Sequence, residues 1–139
     1  IQESDDKLFN FIGHELLINY PRWSPEVREL EKLSDAPLGL GTLCRQVRVD
    51  QGNRSESTFK VVIFDPNKRI CFDAQSNPFR CAYLLESTNE KSTQITFTFE
   101  LLSLELHMRP FEKLVRIAVQ DGAERTVRNI KRLIEFNTI

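Results

Sequence analysis

Apolar residues at Phe111, Leu114, Val115, Ala118, Val119, Gly122, Ala123, Val127, Ile130, Leu133 and Ile134 recur three and four positions apart. This is one stripe of a long amphipathic helix, predicted over about residues 110 to 136. Ahead of it the period changes to two. Thr42 to Val49, Ser57 to Phe64, Arg69 to Ala74, Phe79 to Glu86 and Thr93 to Leu102 read as five strands rich in β-branched and aromatic residues. Phe59, Val61 and Ile63 fall on one side of the second. Gln51-Gly52-Asn53, Asp65-Pro66-Asn67, Ser76-Asn77-Pro78 and Asn89-Glu90-Lys91 punctuate them. Connections this short cannot hold crossover helices, so the expected sheet is an antiparallel meander with the long helix laid over it. A helix across a curved sheet leaves space between the layers, and apolar walls around such a space suit a hydrophobic ligand.

At the amino end Ser4 is placed to cap a short helix, with Asp5 and Asp6 in its first turn and Leu8, Phe9, Phe11 and Ile12 on its apolar side. Ser24-Pro25-Glu26-Val27 offers a serine cap, a first-turn proline and an acid, so a second short helix is predicted to start there. Residues 34 to 41 carry the densest turn signal. Residues 101 to 110 join the last strand to the helix, either as a gate over a cavity or as a strand extension that turns before Pro110.

A chain of 139 residues suffices for one domain, 1–139, with a real core and no staples. A formal net charge of -1 gives no field that would draw the chain to nucleic acid or to anionic membrane, so no nucleic-acid partner is expected. Cys44, Cys71 and Cys81 are odd in number and lack zinc-site spacing, which favours buried reduced thiols. His14 and His107 form no ligand pair, so neither a metal nor another cofactor is expected. No run approaches the ~18 apolar residues of a membrane span, and a cytoplasmic protein is the expectation. The sequence opens at Ile1 without an initiator Met, so an upstream segment is conceivable.

Tyr20-Pro21-Arg22-Trp23-Ser24-Pro25-Glu26-Val27, followed by Leu38-Gly39-Leu40-Gly41-Thr42, resembles the SRPBCC (START-like) superfamily, within it the polyketide cyclase/dehydrase-like branch. Phe64 to Ile70, Thr93 to Phe97 and Asn129 to Glu135 extend the resemblance over essentially the whole chain. It implies an α+β helix-grip fold: a bent antiparallel sheet wrapped around a long carboxyl-terminal helix, enclosing an apolar cavity. It also implies binding of lipids, sterols, polyketides or similar molecules, with a minority of cyclases and dehydratases. The first strand of that pattern is missing here or reduced to Ile1, which would leave a sheet edge unpaired.

Trp23, held between prolines, is either a packing plug or a ligand contact at a cavity mouth, with the plug favoured. Phe72, Phe79, Tyr83, Phe97, Met108, Phe111 and Leu114 are the remaining candidate ligand-binding residues, and a filled core is the competing reading of the same aromatic supply. Small Gly122 and Ala123 in mid-helix either leave volume for a cavity or permit a close approach of helix to sheet. Asp73, Arg80 and Tyr83 would form a proton-transfer set if they met, whereas strand alternation makes Asp73 and Arg80 an exposed cross-strand pair. A binding module for a small hydrophobic ligand therefore leads, for transport or sequestration. The alternatives are a cyclase or dehydratase without metal, using polar cavity residues such as Tyr83 or Arg80, and an interaction domain with a vestigial cavity. No catalytic residue can be assigned, and the oligomeric state stays open.

Overall fold

The computed structural model describes residues 1–75, 79–101 and 106–136. Ser4 caps α1 (Asp5–Phe9), its Oγ accepting from the Lys7 backbone N–H at 3.3 Å. A π-turn (Asn10–His14) leads into α2 (Leu16–Trp23). Gly13 is required in that turn, because a Cβ there would sit 2.9 Å from the buried Phe9 ring.

The predicted helix from Ser24 does not form. Helix α2 lies before it, placing Leu16, Tyr20 and Trp23 on one buried face, and Pro21 is tolerated in its last two turns. Val27–Lys32 is instead a strand, β1, at the sheet edge. Its Glu, Arg and Lys residues are good helix formers, and backbone pairing with the neighbouring strand overrides that weak preference.

Strands β2 (Leu43–Asp50), β3 (Asn53–Asp65), β4 (Arg69–Ala74), β5 (Phe79–Asn89) and β6 (Ser92–Leu101) follow as expected, so six strands pair in sequence order, each antiparallel to the next. Gln51 and Gly52, both at positive φ, make the tight β2–β3 turn. A bulge between Val61 and Ile63 changes which residues face the concave side: Phe59, Val61 and Phe64 join the core, and Ile63 does not. Ile1 adds one rung to the otherwise open edge of β6, its backbone exchanging two 2.9 Å hydrogen bonds with Thr93. A 3-10 turn (Leu106–Phe111) precedes α3 (Glu112–Phe136). The Ser76-Asn77-Pro78 loop and part of the expected gate, residues 102–105, lie outside the described residues. No described helix is long and apolar enough to cross a membrane.

The core sits on the concave face. Phe59 and Phe72 pack at 4.4 Å between ring centroids, Tyr83 and Phe97 at 4.8 Å, and Phe79 and Phe99 at 5.1 Å. Helix α2 closes one end of this aromatic row, and the carboxyl half of α3 crosses it with Ile130 fully buried.

Candidate functional site

Between α3, α2 and the concave sheet lies an open cavity of about 270 Å³. Its floor is aromatic, because the period-two pattern of β5 and β6 aims Phe79, Tyr83, Phe97 and Phe99 at the helix. Its roof is the segment of α3 around Ala118, Gly122 and Ala123, where short side chains leave the space unfilled; a Cβ on Gly122 would meet no atom within 4 Å. Tyr20 and Trp23, a helical turn apart on α2, form the inner end wall.

The mouth is polar. Arg48 binds Asp50 through Nε at 3.2 Å and Nη2 at 3.0 Å, and Arg125 reaches across from α3 to Glu26 at 3.2 Å. Burial disfavours the Arg48 cation, but hydrogen bonding to Asp50 and the surrounding negative charge outweigh it and hold Arg48 above the usual arginine range. Deeper in, burial pushes Tyr20, Tyr83 and Cys81 well above the ordinary phenol and thiol ranges, so all three stay neutral. Trp23 Nε1 donates to the Tyr83 hydroxyl at 3.3 Å, and Asn129 Nδ2 donates to the Trp23 carbonyl at 2.9 Å, tying α2 to both sheet and helix.

Of the residues singled out from sequence, Trp23, Phe79, Tyr83 and Phe97 meet at this cavity. Phe72 lies beneath them, fully buried among Tyr20, Phe59 and Tyr83, and is not a wall residue. Phe111 and Leu114 point to solvent, 51% and 65% exposed, because the helix stripe is wider than the strip of sheet it covers. The Met108 side chain is not among those described. Asp73 and Arg80 face each other on the convex side, joined at 2.7 and 2.9 Å, so Tyr83 is separated from them by the sheet and Arg80 has no place in cavity chemistry. The mouth residues Glu26, Arg48, Asp50 and Arg125 escaped sequence reasoning; the one available signal was that Arg48 falls in step with Cys44 and Gln46 on β2, the inward parity. Among the described residues no group of His, Cys, Asp and Glu gathers as metal ligands would.

Solved structures share this architecture. The Zhui aromatase/cyclase from Streptomyces sp. R1128 superposes with a TM-score of 0.73 over 99% of this chain and 93% of its own, at 12% identity. TTHA0849 from Thermus thermophilus gives 0.70 over 100% and 94%, at 18% identity, and Ara h 8.0201 gives 0.62 over 93% and 91%, at 16%. The chain has the helix-grip fold. Likeness at such identities speaks for the fold and not for the chemistry. No family model and no curated protein sequence matches the chain. The sheet that grips α3 here is the bent antiparallel one that the resemblance to the SRPBCC superfamily implied.

Proposed function

We propose that residues 1–139 act as one binding unit that holds a small hydrophobic molecule in the helix-grip cavity, for transport or sequestration. The observation that carries this reading is the unfilled space beneath Gly122, floored by Phe79, Phe97 and Phe99 and open to solvent. Its volume of about 270 Å³ is near the lower end of the ~300–1,000 Å³ usual for small-molecule sites. The fold it shares with an aromatase/cyclase and with Ara h 8.0201 agrees with a ligand in this position.

A cyclase or dehydratase reading draws on the Tyr83 phenol in the wall. It ranks second: burial keeps that phenol a donor rather than a base, no histidine reaches the described lining, and Arg80 lies outside. The deciding test is a titration with the neutral fluorophore N-phenyl-1-naphthylamine. Saturable one-to-one binding that is lost in Gly122→Leu supports the cavity reading, and no binding, or binding unaffected by that substitution, overturns it. Native mass spectrometry of the purified protein, followed by solvent extraction, would identify the natural ligand.

A further inference from the structure

Among the described residues, the Tyr83 phenol at the inner end of the cavity has a donor and no acceptor. An indole N–H can only donate, so in the Trp23–Tyr83 contact at 3.3 Å the phenol oxygen accepts. The phenol's own proton is therefore uncommitted, and no acceptor among the described residues takes it. Tyr20 packs on Trp23 and Phe72, the same two rings that Tyr83 contacts, and Cys81 supplies a further S–H in the same wall. The carboxylates nearest the cavity, Asp50 and Glu26, sit at the mouth and are engaged by Arg48 and Arg125.

From this arrangement we infer that the ligand carries a hydrogen-bond-accepting oxygen, a ketone or ester carbonyl, on an otherwise apolar and flat body, and that it enters with that oxygen first to accept from Tyr83. This rests on the cavity reading given above and adds the ligand's chemical class and orientation. The physical reason is satisfaction: a buried O–H without an acceptor is costly, and a wholly apolar ligand leaves it so, whereas a carbonyl completes the relay from Trp23 N–H through Tyr83 O–H to ligand oxygen. The aromatic floor at Phe79, Phe97 and Phe99 then stacks the apolar remainder.

The test uses two probes of nearly equal shape, fluorene and 9-fluorenone, which differ by one carbonyl. The parent protein should bind both and prefer 9-fluorenone by about 3- to 10-fold, the value of one net hydrogen bond. The infrared carbonyl stretch of bound 9-fluorenone should fall below its position in an alkane solvent. Tyr83→Phe should abolish the preference and the shift while retaining fluorene, and Tyr20→Phe should keep both. Equal affinities together with an unshifted carbonyl in the parent protein would overturn the inference and leave the cavity reading standing, a result that depends on no variant. A preference that survives Tyr83→Phe would also overturn it. Failure to bind either probe would remove both readings together.

Discussion

Trp23 and Tyr83, 60 positions apart in the chain, are joined by a 3.3 Å hydrogen bond between the indole N–H and the phenol oxygen at the inner end of the cavity. Trp23 is 1% exposed and also packs on Phe11 and Tyr20, so it is at once a structural plug and a wall of the site. Trp23→Ala should therefore cost about 3–5 kcal/mol in urea unfolding, as for other buried large-to-small changes. A variant that unfolds like the parent and only loses probe affinity would place the ring in binding alone.

One chemical change at two glycines should act with opposite sign. Gly122→Ala puts a methyl into open space in mid-helix and should stabilise the fold by about 0.5–1 kcal/mol. Gly13→Ala drives a Cβ to 2.9 Å from the fully buried Phe9 ring, which has nowhere to move, and should destabilise by about 1–3 kcal/mol. Paired thermal melts decide it. By contrast Leu114→Trp, at a position that the sequence offered as a ligand-binding residue, should leave binding unchanged because that position faces solvent.

The meander, the long helix and the aromatic floor were legible because each is a periodicity that burial on one face imposes. Phe79, Tyr83 and Phe97 could be placed from alternation along β5 and β6. Strand β1 was not legible: its inward residues Val27 and Leu30 are put out of step by a bulge, and the helix start at Ser24-Pro25 pointed the other way. Ile63 was misplaced for the same kind of reason, since a bulge leaves no mark in a two-residue period. The stripe of α3 predicted which side is apolar but not how much of it the sheet reaches, so Phe111 and Leu114 were assigned to a wall they do not join. The polar mouth depends on ion pairs, Glu26 with Arg125 and Arg48 with Asp50, and only the first of these spans the fold.

Both tyrosines of the chain are buried, and burial raises their ionisation above the ordinary value of 10.0. The folded state then holds two phenolic protons that the unfolded state releases, so stability is complete below that value and declines as pH climbs past it. Absorbance at 295 nm should show no native phenolate titration near pH 10, and ionisation should coincide with loss of structure. A reversible phenolate signal in the folded protein near that pH would contradict the burial of one ring.

Asp73 is held below its ordinary value of 3.8 by hydrogen bonds from Arg80, so this pair stabilises the fold above that value and the contribution fades as pH falls through the lowered one. Asp73→Asn should flatten the acid limb of the stability profile while leaving probe binding untouched, since the pair lies on the convex face. A loss of binding would place these residues in the site after all.

Among the described residues, the contacts that fasten helix α3 gather towards its carboxyl end. Ile130 is buried, Asn129 holds the Trp23 carbonyl at 2.9 Å and Glu135 accepts from the Gln2 backbone N–H at 2.8 Å, whereas Phe111, Leu114 and Ile117 stand in solvent. A beam held in this way bends most where its side chains are exposed, so backbone amides near Leu114 should exchange with deuterium well before those near Ile130. The roof over the cavity belongs to the segment between, which makes ligand traffic a question of beam stiffness as well as of mouth width. Stiffening the beam with Gly122→Ala should then slow association and release together, so that residence time lengthens while the equilibrium affinity scarcely moves.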